Sequence, residues 1–147
     1  MFKLILPLLF ALSLCSGADH KPMHKMDVSQ EDDGRQSLGI KGTKRGVHQL
    51  SNMREHMTAL AEIVKHMNSD QYDEASKVAQ EKLGLTVSMS STCGSFGSKS
   101  FEAMGVAFHK SADRLAQTLK TKDQKKSMVA LEKVMNGCVL CHSTFKQ

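Results

Sequence analysis

Apolar side chains recur at steps of three and four residues from Val47 onward. Leu50, Met53, Met57, Leu60, Val64 and Met67 fall on one face of a helix that ends near Asn68. Ser69 or Asp70 can cap a second helix through Tyr72, Ala75, Val78, Ala79 and Leu83, and Gly84 stops it. Leu85 to Ser98 is rich in Ser, Thr and Gly and keeps no period, which predicts a long connection. A third helix carries Phe101, Met104, Phe108, Ala112, Leu115 and Leu119. Thr121 with Gln124 forms a capping box for a fourth, whose inner side holds Met128, Leu131, Val134, Met135, Cys138, Cys141 and Phe145. No alternating strand pattern is present. Two short connections and one longer one predict an all-α chain, an antiparallel up-down-up-down four-helix bundle.

The stretch before Val47 divides in two. Lys3 followed by the apolar run Leu4 to Leu14, then the small residues Ser16-Gly17-Ala18, predicts a signal peptide over 1–18 and export to the periplasm. That run is too short to span a bilayer, and no other apolar run is longer. Residues 19–46 are polar and poor in large apolar side chains, so a disordered leader is expected there. The folded domain is expected over 47–147.

Composition adds direction. The formal charge is +5, and removing Lys3 with the signal lowers it to +4. A mild positive balance suits docking to an acidic protein partner. Basic runs interleaved with aromatics are missing, so nucleic acid is not an expected partner. Of four cysteines, Cys15 leaves with the signal and Cys93 reads as a loop residue without a role. No nucleophile–base pair, paired carboxylates or phosphate loop stands out, and no catalytic activity is expected.

The remaining two cysteines lie in Cys138-Val139-Leu140-Cys141-His142. C-x-x-C-H is the spacing of a covalent haem c attachment site. On a helix, positions three and four apart share a face, so both thiols can reach the vinyl groups of one haem. His142 then meets the iron as proximal ligand. A zinc site would want a second ligand pair, and a redox C-x-x-C normally opens a helix after a strand; this motif closes a helix.

If the first and fourth helices are antiparallel neighbours, the haem faces residues near Met53 to Leu60. His48, Met53, His56 and Met57 are the candidates for the opposite side of the iron. Met53 and Met57 lie on the apolar stripe, whereas His56 is rotated about 100° from Met57. An empty sixth position is also compatible with the spacing.

Residues 47–147 resemble the four-helix cytochromes, the cytochrome c′ family and its b-type bundle relative. The ending Cys138-x-x-Cys141-His142-x-x-Phe145-Lys146 is similar to the family's C-x-x-C-H followed by an aromatic and a basic residue, with Lys146 where Arg is usual. Met57-Thr58-Ala59-Leu60 is similar to the M-x-x-L whose Met binds iron in the b-type relative. Phe101 to Leu119, with Gly105 and His109, also resembles a group of small periplasmic c-type cytochromes. The resemblance implies a mono-haem electron carrier with His142 and Met57 as iron ligands, haem loaded by the c-type attachment machinery, and possible pairing into a homodimer. The family's early Arg-Gln pair is replaced by His48-Gln49, which departs from a five-coordinate, gas-binding cytochrome c′; binding of NO or CO is the alternative reading.

Overall fold

The structure is a computed structural model and describes residues 33–147. The expected signal peptide and the leader up to residue 32 lie outside the described residues. In chain order the described residues form β1 (Gln36–Ser37), α1 (Lys44–Asn68), α2 (Tyr72–Val78), a π-helical turn (Ala79–Leu83), α3 (Val87–Gly94), α4 (Lys99–Leu119), α5 (Gln124–Thr144) and β2 (Phe145–Lys146). The class is all-α, with one short parallel strand pair. Among the described residues no helix is long and apolar enough to cross a membrane.

Capping explains most helix starts. The hydroxyls of Thr43, Thr86 and Ser98 accept the Gly46, Met89 and Phe101 amides at 3.0, 3.1 and 3.3 Å. The Asp123 carboxylate accepts the Lys126 amide at 2.9 Å, so Asp123 starts α5 in place of the expected Thr121–Gln124 box. Neither Ser69 nor Asp70 caps α2. Asp70 takes φ of 56° in the turn, and Gln71 precedes the helix without a side-chain cap bond. The expected connection Leu85–Ser98 contains α3: Thr86 caps it, and burial of Cys93 replaces the missing apolar period.

One core draws on α1 (Leu60, Ile63, Met67), α2 and the π turn (Ala75, Ala79, Leu83), α4 (Ala112, Leu115, Leu119) and α5 (Leu131, Val134). Inside it the Ser76 hydroxyl donates to the Ala116 carbonyl at 2.8 Å, which joins α2 to α4. The inward face of α1 is not the expected stripe. His56, Ala59, Leu60, Ile63 and Met67 are buried, while Leu50, Met57 and Val64 face outward at 44%, 64% and 41% exposure. On α5, Met128 and Met135 are likewise exposed rather than inner.

The end of the expected leader is ordered. Gln36 and Ser37 pair with Phe145 and Lys146, and the Leu38 amide donates to the Lys146 carbonyl at 2.8 Å. Ile40 packs in a second apolar cluster with Phe96, Phe101 and Phe145. Two apolar side chains, Ile40 and the half-buried Leu38, and one short strand tie this otherwise polar segment down, because β2, just after α5, offers both a free strand edge and an aromatic. Outside the pair, Arg35 donates to the His142 carbonyl at 3.2 Å, and Asp33 accepts from Arg35 and Lys146 at 2.6 and 3.1 Å.

Candidate functional site

The C-terminal part of α5 places the C-x-x-C-H motif at a boundary. Cys138 packs against the main core and Cys141 against the second cluster. Between the two clusters opens a cleft of about 220 Å³. Its walls are the first half of α1 (Gln49, Asn52, Met53, His56, Met57), α3 (Met89, Thr92, Cys93), α4 (Phe101, Met104, Gly105, Phe108, His109) and α5 (Gly137, Cys138, Cys141, His142). The structure thus brings Cys138, Cys141, His142 and Met57 to one site. The two cysteines are half-buried, while His142 and Met57 are exposed at the rim. His48, the remaining candidate, is exposed on α1 outside the lining.

Close backbone approach makes this wall. A Cβ on Gly137 would stand 3.2 Å from the Phe108 ring, and one on Gly105 would stand 2.6 Å from the Cys93 sulfur. The second distance is below any real carbon–sulfur contact, so α3 can lie on α4 only because Gly105 has no side chain. Cys93, expected to be an idle loop residue, is buried and lines the cleft.

Electrostatics separate the thiols from a redox dithiol. Burial pushes the Cys138 and Cys141 thiols above their ordinary value, and for Cys141 the nearby Cys138 and Cys93 add to this. A redox C-x-x-C works through a depressed, readily formed thiolate. The Cys138 thiol instead points back along its helix to the Val134 carbonyl, 3.7 Å away. Burial, then the neighbouring His109, push His56 down to about 4, which leaves it a neutral imidazole at physiological pH.

His56, one of four candidates left open by the sequence and off the expected apolar stripe, is the one the structure buries. It is 8% exposed, its ring lies 5.1 Å from Phe108 and 5.5 Å from His109, and its Nε2 has no hydrogen-bond partner. A signal existed: His56, Leu60, Ile63 and Met67 repeat at steps of four, three and four, as regular as the Met53–Met57–Leu60 stripe. Both stripes share Leu60 and Met67, and the polar imidazole hid the true one. His109 is buried too, with its Nδ1–H donating to the Leu83 carbonyl at 2.7 Å.

The residues present fit a haem. Two thiols at helical spacing, an imidazole at the rim, apolar walls and one orphaned buried nitrogen meet in one cleft. The volume is below the range of about 300–1,000 Å³ usual for small-molecule sites. A haem would therefore displace rim side chains, and the flexible Met53 and Met57 are suited to move. Among the described residues no three His, Cys, Asp or Glu side chains are placed to hold a bare metal ion together.

Comparison with known proteins adds no relative: no protein-family model, curated protein or solved structure matches this chain.

Proposed function

We propose that this protein is an exported mono-haem c-type cytochrome that carries electrons. Its topology is read as an antiparallel up-down-up-down four-helix bundle of α1, α2 with its π turn, α4 and α5, with α3 inserted in the long connection. The observation that carries the reading is the meeting of Cys138, Cys141 and His142 at one apolar cleft that also buries an unpartnered histidine nitrogen.

In this reading Cys138 and Cys141 would hold the haem covalently and His142 would supply an imidazole to its iron. When bound, the haem supplies one-electron exchange between ferrous and ferric iron. The chain's own part is to exclude water and set the potential. Phe101, Met104 and Phe108 would give a low-polarity surround that disfavours the extra charge of ferric haem. The Arg35 bond to the His142 carbonyl and the β1–β2 pair fix the last turn of α5, so the ligand is held at a constrained position. Two α1 side chains line the same cleft, Met57 at its rim and His56 within, and either would offer the iron a further ligand. The chain's exposed lysines would steer an acidic redox partner.

The thiol-redox reading is disfavoured because burial raises both thiols instead of lowering them. The test is expression of the full chain in a host that attaches c-type haem, followed by a haem stain on a denaturing gel. The stain should survive denaturation, and should be lost in the Cys138→Ser/Cys141→Ser double variant. An unstained wild-type band would overturn the proposal.

A further inference from the structure

We infer that His56, through Nε2, and not Met57, is the second axial ligand of the iron, an assignment that rests on the haem reading above. Three observations carry it.

First, a buried imidazole nitrogen without a partner is costly, about 1–3 kcal/mol for a neutral polar group. Native structures leave few such atoms without a reason. His56 Nε2 is such an atom, on a side chain more than nine-tenths buried, in the wall of the cleft that holds Cys138 and Cys141. A metal bond at that nitrogen removes the penalty.

Second, the helix register favours His56 over its neighbour. Successive residues point about 100° apart around a helix. His56 shares the inward face with Leu60 and Ile63, so Met57 is turned toward the outer face with Leu50 and Val64. Met57 reaches the cleft only at its mouth.

Third, the other buried histidine of the cleft is anchored through Nδ1, and its Nε2, unlike that of His56, is not among the buried atoms left without a partner. The His109 Nδ1–H donates to the Leu83 carbonyl, which ties α4 to the π turn. Its ring meets that of His56 edge-on, 81° between planes, and with Phe108 confines His56 on two sides. His109 is thus a positioning residue for His56. A ligand held in place before the iron arrives loses little side-chain freedom on binding.

The consequence is an iron with two imidazole ligands. Its reduction potential would be lower than with the His/Met pair, since a methionine ligand raises it. Both axial positions would be filled, so carbon monoxide would have to displace His56.

The test is absorption and electron paramagnetic resonance of the haem-loaded full chain and three variants. The wild type should be low-spin without the sulfur-to-iron charge-transfer band in the red. Met57→Ala should leave that spectrum unchanged. His56→Ala should become high-spin, and free imidazole should restore the low-spin form. His56→Met, which keeps a ligand and guards against a misfolded alanine variant, should gain the sulfur band and a higher potential. A low-spin His56→Ala protein, or a sulfur band in wild type lost in Met57→Ala, would overturn the inference while the haem reading stands. A high-spin wild type would overturn it in favour of an open iron. Wild type without covalent haem would remove both.

Discussion

His109 Nδ1 lies 2.7 Å from the Leu83 carbonyl, and this bond ties the middle of α4 to the end of the π turn. The last carbonyls of a helix lack partners within it. One turn further along α4, Asp113 accepts the Gln80 side chain at 2.8 Å and the Leu85 amide at 3.3 Å. A Cβ on Gly84 would meet the Gln80 carbonyl at 2.4 Å and the Asp113 carboxylate at 2.6 Å, so only glycine fits between them. Two side chains of α4 thus finish α2, and the same anchor sets the ring that borders His56. Replacing His109 with Ala strands a buried carbonyl. A loss of about 1–3 kcal/mol in unfolding free energy is expected, measured by urea denaturation. An unchanged midpoint would mean that water satisfies Leu83.

The contact of α3 with α4 depends on one missing methyl group. Gly105→Ala places a Cβ 2.6 Å from the Cys93 sulfur, so overpacking of about 1–3 kcal/mol is expected despite the better helix propensity of alanine. Cys93→Ala on the Gly105→Ala background should recover most of that loss. A double-mutant cycle of thermal unfolding reads the coupling, and additive effects would mean that the two residues are not in contact.

His56 makes the haem-free chain sensitive to acid. Its folded-state value of about 4 lies below the ordinary 6.5. Between these values the unfolded chain binds the proton and the folded chain does not. The His56 contribution to stability is therefore flat above pH 6.5 and falls as the pH drops from there to about 4. The expected loss is about 2 kcal/mol after allowing for water at the mouth of the cleft. Urea titrations of haem-free protein at pH 7.5 and 5, with His56→Gln for comparison, should show the slope shrink in the variant.

The strap across the end of α5 should be held by its apolar side chain, not by its charges. Ile40→Ala empties a buried position beside Phe101 and Phe145 and should cost about 2–4 kcal/mol, seen in the thermal midpoint. Asp33→Asn removes the exposed ion pairs to Arg35 and Lys146 and should leave the midpoint nearly unchanged, because such pairs compete with water and salt. Faster exchange of the Leu38 amide in Ile40→Ala, and not in Asp33→Asn, would place the effect in the strap.

Much of the helical layout was legible in the sequence by itself. Periodicity located α1, α2, α4 and α5 because each buries a stripe at helical spacing, and Gly84 ends the π turn that continues α2, as its position implies. Local chemistry also located the C-x-x-C-H motif, since Cys138, Cys141 and His142 share a helix face whatever surrounds them. What α1 turns inward could not be read this way. The helix carries apolar residues on two adjoining faces that share Leu60 and Met67, and periodicity cannot rank them. Only packing against Phe108 and His109 decided that His56 is inside and Met57 at the rim. The same holds for α3 and for the ordered end of the leader. Cys93 fits because Gly105, twelve residues away, is bare, and Ile40 is buried because Phe101 and Phe145 are brought to it from the far end of the chain. Sequence by itself determined the four longer helical segments and where the thiols and His142 sit relative to one another. Contacts between residues distant in the chain decided which histidine nitrogen was left buried without a partner, because burial is a property of the assembled helices and not of any one of them.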